Sequence, residues 1–254
     1  MNLCYGKKPP KFNRKTLTLD EFTLPNLLPP PPEKRAWEYV ISDARWAQTM
    51  FGNDVAGNCV EAAVLHFIMA ATASAGRPAT FVTQDAFDLY SAITGWDGVP
   101  GSPSDQGTYW TDALAYMVST GITDQQGRLH KWLGWAAIDH TNLSKLRQGM
   151  NIFDGILVGT SIMNSMEQQF ANGQPWNPPF NGGLAGGHGI PWFGYGSQGQ
   201  TCLTWAQRQQ MAKKAHNLVD EAYCVLTEDF VNDTTGEAAN FLNMAQLKAA
   251  LSAI

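Results

Sequence analysis

The sequence predicts an α+β fold in two halves, a mainly helical one followed by a mainly β one. Two observations carry this. The long segments with helical apolar spacing come first, before residue 130, as in "GNCVEAAVLHFIMAATASAG". After residue 130 the apolar runs shorten, become strand-like and are bounded by Gly, Pro and Asn, as in "GILVGTSIM" and "HGIPWFGYG". No internal repeat relates the halves.

Residues 1–35 stand apart. "KKPPKF" and "LPNLLPPPPEKR" carry most of the early prolines, which favour extended backbone without a core of its own. This Pro-rich segment is open to several readings: a disordered tail, an arm lying along its own domain, an inhibitory pro-segment, or a tether to a partner protein. The globular part spans 36–232, with a mainly helical lobe over 36–130 and a mainly β lobe over 131–232. A last amphipathic helix is expected within 233–254.

Within the helical lobe, a helix from about Asn58 to Ser74 is expected, with Asn58 as N-cap and Gly76 as its stop. Apolar residues cover most of its circumference, so it should be central and buried. "TQDAFDLYSAIT" gives a second helix with Thr83 as cap, and "TYWTDALAYMVSTGI" a third, ended by Gly121. In the β lobe, "LGWAAID" reads as a strand, "NLSKLRQGMNIF" as a short helix and "GILVGTSIM" as a buried strand. The stretch "NSMEQQFANGQPWNPPFNGGLAGG" reads as one long loop, before strands at "HGIPWFGYG", "TCLTW" and "EAYCVLTEDFV".

The bulk numbers exclude several classes. With 254 residues, 44% apolar composition and nine tryptophans, the chain can bury a proper core. A net charge of −5 and the confinement of the one basic cluster, "GKKPPKFNRK", to the first fifteen residues argue against a nucleic-acid partner. No run approaches the roughly eighteen apolar residues of a membrane span, so no membrane partner is expected. No secretory signal is read at the N-terminus, and Cys4, Cys59, Cys202 and Cys224 have neither zinc-ligand spacing nor need of a disulfide framework. Free thiols, no metal, no cofactor and a cytoplasmic or particle-associated location are the expectations.

Two positions point to chemistry. Cys59 falls in the first turn of the central helix, where unpaired N–H groups and the helix dipole favour a thiolate. His188 follows Gly186 and Gly187 and opens an apolar strand, which packing alone explains poorly, and a histidine there can serve a thiol as base. His66, seven residues after Cys59, lies roughly 10 Å further along the helix and reads as structural. His130, His140 and His216 read as surface residues, Cys202 and Cys224 as core, and Asp220 and Glu221 are given no role. Trp176, Trp192 and Phe180 could line a cleft, although a packed core is the commoner place for tryptophan.

Together these segments resemble the papain-like cysteine peptidases, in order from about residue 45 to residue 230. Asn53 lies six positions before Cys59, where that family usually has an oxyanion-binding glutamine. "DQGTYWTDALAYMVSTGI" resembles the glycine-containing segment that offers its backbone to substrate, with Gly107 and Thr108 at the substrate-facing positions. "GHGIPWFGYG" has the form of the strand opened by the catalytic histidine, with Gly194 and Tyr195 in place. Trp205 in "LTWA" aligns with the family's shielding tryptophan, but Leu203 occupies the position of the asparagine that orients the histidine.

The resemblance implies a two-lobed fold with the central helix packed on an antiparallel β lobe. It also implies thioester chemistry on a peptide or other amide bond: Cys59 as nucleophile, His188 as acid and base, and the Asn53 amide with the Cys59 N–H as oxyanion donors. With Leu203 in place the site is a Cys-His dyad, unless Thr204, Gln200 or another polar residue replaces the asparagine. Two functions follow: a cysteine-nucleophile hydrolase (transferase chemistry shares its intermediate), or a papain-fold structural or binding component of a larger assembly such as a phage or virus particle.

Overall fold

A computed structural model describes residues 3–11, 31–35, 49–231 and 235–236. The expected C-terminal helix and the chain between 36 and 48 lie outside these residues. Three helices come first: α1 (Cys59–Ser74), α2 (Thr83–Thr94) and α3 (Trp110–Ser119). A two-stranded hairpin follows, β1 (Ile122–Thr123) and β2 (Leu129–His130), then β3 (Gly134–Ala137), α4 (Leu143–Ile152), β4 (Ile156–Met163) and α5 (Asn164–Ala171). The chain continues through β5 (Leu184–Gly196), β6 (Gly199–Thr204), β7 (Gln207–Ala212), a 3-10 turn (Lys213–Leu218) and β8 (Val219–Leu226). Strands β3 to β8 form one antiparallel sheet in the order β3-β8-β4-β5-β6-β7. The two-lobed α+β fold is thus as expected.

The sheet is apolar on both faces, and strand alternation sorts its side chains between two cores. Leu157, Leu203, Tyr223 and Val225 pack with α1. Their neighbours Val158, Cys202, Ala222 and Cys224 pack on the other face with Leu146 and Met150 of α4 and Met166 and Phe170 of α5. Helix α1 is buried from Cys59 to Thr72, which accounts for its apolar circumference.

Several sequence expectations need correction. Helix α2 begins at Thr83, so Val82 holds the N-cap position, and the Asp85 carboxylate accepts the Val82 N–H at 2.7 Å. Asn58 stands at the N-cap of α1 but its side chain donates to the Phe51 carbonyl (2.7 Å), with no capping bond to the helix. The expected long loop after β4 contains α5, which Met166 and Phe170, four apart, anchor in the core. Strand β7, which has no apolar run in the sequence, pairs along β6. His130 is buried, not superficial, and lies 2.7 Å from Asp229 and 3.2 Å from Asp124. Burial alone lowers a histidine's pKa, but these two carboxylates outweigh it and raise it. Trp176 and Trp192 are core residues.

Candidate active site

The site forms where the start of α1 meets β5. Cys59 opens α1, and Gly189 of β5 donates its N–H to the Cys59 sulfur at 3.4 Å. Glycine eases this approach, since a Cβ on Gly189 would stand a tight 3.0 Å from Val60 Cγ2 and 3.1 Å from the Trp110 ring. His188 is the preceding residue on β5, opposite Thr160 of β4. Cys59, His188 and Asn53 line one small cavity of about 10 Å³, together with His66, Leu203, Thr204 and Trp205. Sequence positions 53, 59, 188 and 205 are therefore brought together.

The orienting partner of the histidine is the hydroxyl of Thr204, 2.7 Å from His188 Nε2. Leu203 belongs to the α1-facing core, so the next residue along β6 is the one turned toward the histidine. The β6–β7 connection is a tight turn in which Trp205 (φ 43°) and Ala206 (φ 58°) both take left-handed backbone, as a two-residue hairpin requires. That turn lays the Trp205 ring parallel to the imidazole, with centroids 4.3 Å apart and an interplanar angle of 18°. With Nε2 engaged and the ring stacked, His188 Nδ1 is the nitrogen with no hydrogen-bond partner. Gln200, the other polar residue considered on this strand, makes no side-chain bond to His188.

A part of the chain's own N-terminal segment fills the cleft. Cys4 donates its N–H to the Asn53 carbonyl (3.1 Å), while Asn53 Nδ2 donates to the carbonyls of Cys4 (3.3 Å) and Ala56 (3.2 Å). Thr108 N–H donates to the Gly6 carbonyl at 2.6 Å, and its own carbonyl accepts from Lys8 N–H at 2.9 Å. Lys7 N–H donates to the Gly187 carbonyl at 3.3 Å, so the segment is strapped to both walls. Lys7 and Thr108 pair in parallel. The segment leaves no room for a side chain at Gly6: a Cβ there would lie 1.5 Å from the Gly57 carbonyl oxygen, and one on Gly107 (φ 72°) would lie 1.8 Å from that of Gly6. Tyr5 covers the histidine, edge-on to both His188 (5.9 Å) and Trp205 (5.8 Å), and its hydroxyl donates to Glu167.

Electrostatics follow from this closure. Burial pushes the Cys59 thiol up to about 11, against the pull of N–H groups from Gly189, Gly6 and Lys7. Burial likewise drives His188 down to about 3. The closed cleft therefore holds a neutral thiol beside a neutral imidazole. Two buried carboxylates sit nearby. Glu61 accepts from the Thr108 hydroxyl at 2.6 Å, and burial pushes it up to about 7. Glu221 accepts from the Tyr223 hydroxyl (2.7 Å) and lies 3.0 Å from Lys7 Nζ; burial raises it as well.

Sequence reasoning named Thr204 only as one of several substitutes, and missed Glu61, Lys7 and Glu221. A buried-strand run that contains an acidic residue, as "VDEAYCVL" does, was the available signal for Glu221. All four cysteines are free thiols, with Cys59, Cys202 and Cys224 buried. Among the described residues there is no group of three or more metal-ligating side chains, and no helix is long and apolar enough to cross a membrane.

No family model and no curated relative matches the sequence. Solved structures do match. Xylellain, a cysteine protease from Xylella fastidiosa, superposes with a TM-score of 0.65 at 13% identity, over 89% of this chain and 97% of that one. A procathepsin B from Trypanosoma congolense gives 0.64 at 11% identity, over 89% and 87%. A cysteine protease of Carica candamarcensis gives 0.56 at 14% identity, over 77% and 98%. At such identities the likeness concerns the fold: this chain has the fold of the papain-like cysteine proteases.

Proposed function

We propose that the protein is a cysteine-nucleophile hydrolase of peptide or other amide bonds, closed in this conformation by its own N-terminal segment. The observation that carries the reading is the state of His188. Its Nε2 is tied to Thr204 and its face to Trp205, which leaves Nδ1 free in the cavity that Cys59 also lines. With the Nε2 proton given to the threonine oxygen, Nδ1 carries the lone pair that can take the thiol proton.

In the reaction, the Cys59 sulfur bonds to the carbonyl carbon while His188 holds the thiol's proton. His188 then passes that proton to the departing amine as the C–N bond breaks. Water, deprotonated by the same nitrogen, attacks the thioester and releases the acid and the free thiol. The oxyanion formed in each half is held by the Cys59 N–H at the start of α1 and by the Asn53 amide. Asn53 Nδ2 already donates to a carbonyl of the arm, which supports its role as a donor to carbonyl oxygen. Gly107 and Thr108 offer substrate the backbone edge that the arm now occupies.

The arm also favours a second reading, in which a permanently plugged papain-fold domain serves as a component of an assembly. Thiol labelling separates the two. In a chain whose arm is displaced by Gly6→Ala, iodoacetamide near neutral pH should modify Cys59 far faster than Cys4, Cys202 or Cys224, and His188→Ala should remove that selectivity. A fluorogenic peptide amide should be hydrolysed by the same variant. Equal, slow modification of all four thiols overturns the hydrolase reading and leaves the plugged component.

A further inference from the structure

Lys7 is a lysine whose side chain is 1% exposed, in a protein with ample surface for it. Its ammonium lies 2.7 and 2.6 Å from the two Asp220 oxygens and 3.0 Å from Glu221 Oε1. The two Asp220 oxygens accept hydrogen bonds from the ammonium, while Glu221 Oε1 pairs with it by charge alone. The stem passes over Gly159 of β4, where a Cβ would stand 2.6 Å from Lys7 Cε. Glycine at that point opens a slot for a long, unbranched side chain. The slot opens from the cleft itself, because the Lys7 backbone is held between Gly187, next to His188, and Thr108.

Residue 221 makes this more than an internal clasp. Glu221 is 2% exposed, and among the described residues the Lys7 ammonium is the cation that pairs with its Oε1, while the Tyr223 hydroxyl serves the other oxygen. Any substrate that displaces the arm also withdraws this cation. An apolar side chain in the slot leaves a buried carboxylate oxygen uncompensated, whereas a cationic one restores the pairing. The floor of the cleft therefore discriminates by charge.

We propose that the pocket formed by Gly159, Asp220 and Glu221 is the specificity pocket of the cleft and takes a lysine side chain of the substrate, with Lys7 as its resident occupant. The naming of a substrate rests on the hydrolase reading above; the pocket's preference for a cation does not.

The test uses the full chain carrying Gly6→Ala and Lys7→Ala, which frees both the backbone strap and the pocket. Two fluorescein-labelled probes of sequence Leu-Ser-Tyr-Gly-Xaa-Lys are titrated by fluorescence anisotropy, with lysine or norleucine at Xaa. The lysine probe should bind at least about 10-fold more tightly, as a charge-assisted contact in a buried setting implies. Adding Glu221→Gln, or Asp220→Asn at the more exposed position, should remove most of that difference. Affinities within about 2-fold of each other, or no binding of either probe at millimolar concentration, overturn the proposal and reduce the Lys7 ion pairs to an internal latch. In parallel, coumarin amides with Lys, Leu or Glu at each of the two residues before the cleaved bond are assayed. Hydrolysis indifferent to these residues refutes the pocket and keeps the hydrolase. Selective binding of the lysine probe without hydrolysis of any amide, and without selective Cys59 labelling, keeps the pocket and refutes the hydrolase.

Discussion

The two walls of the cleft are built in different ways. On the helical wall, Asn53, Gly57 and Cys59 sit within seven residues of one another, and their relation is set by one turn entering one helix. On the sheet wall, His188 of β5 and Thr204 of β6 meet across the sheet, and Glu221 of β8 stands in register with Gly159 and, through it, Gly189. The helical wall is a matter of spacing along the chain. The sheet wall is a matter of which face each residue presents, and a shift of one residue changes everything there. That is why the departure at Leu203 is not the loss of a partner but its relocation by one position, to Thr204.

Substitutions can break this comparison, starting where the effect should be greatest. Asn53→Ala removes a donor from the helical wall and should lower kcat of the arm-displaced chain by roughly 10²–10³-fold with little change in KM, as loss of an oxyanion donor does. An unchanged kcat would leave Asn53 as a strut for Cys4 and Ala56 only.

Gly6→Ala forces a methyl against the Gly57 carbonyl and should raise the iodoacetamide labelling rate of Cys59 by about 10- to 100-fold, the range expected from overpacking. The pH profile supplies the sign. With the cleft closed, burial holds the thiol up to about 11, so labelling of the native chain should climb only as pH approaches that value. Displacing the arm admits water to the sulfur and should move the profile to lower pH. Superimposable profiles would mean that the arm does not control the thiol.

On the sheet wall, Thr204→Val keeps the shape but removes the hydroxyl bonded to His188 Nε2. A loss of about 10-fold in kcat is expected, together with a displaced pH–rate profile, from the cost of leaving that nitrogen unpaired. Thr204→Ser should restore both. If valine is silent, the stacked Trp205 ring alone orients the histidine.

The smallest effect concerns a residue of α1 that lines the same cavity without chemistry. His66 Nε2 lies 3.2 Å from the Thr49 carbonyl, and burial drives its pKa down to about 4. Because the unfolded histidine titrates near 6.5, stability is fully present above that pH and is lost as pH falls from about 6.5 towards 4. His66→Gln should remove a slope of up to about 1.4 kcal/mol per pH unit from urea midpoints measured across that window. An unaltered slope would assign the acid sensitivity to His188, which burial shifts in the same direction.

Legibility followed locality. The span of α1 and the strands β3, β4, β5, β6 and β8 could be read because each has a continuous apolar pattern of its own. Helix α5 could not, since its two anchors are set among Gly, Pro and Asn that read as loop. Strand β7 escaped because "QRQQMA" is an edge strand whose buried positions, Gln209 and Met211, include only one apolar residue. The polar flanks of His130 read as surface, yet one partner, Asp229, is 99 residues away.

By itself, then, the sequence determined the order of the two lobes, the placement of Cys59 at the head of a buried helix, and the spacing of Asn53 to it. These rest on hydrophobic period and on spacing along the chain, which act within a few turns. Tertiary structure decided the rest: that Thr204 and not Leu203 faces His188, that the segment from Cys4 to Lys8 fills the cleft, and that Lys7 reaches Asp220, 213 positions later. Strand register and the pairing of distant charges have no local signature, because nothing in a residue's neighbours along the chain states which face of the sheet, or which distant partner, it will meet.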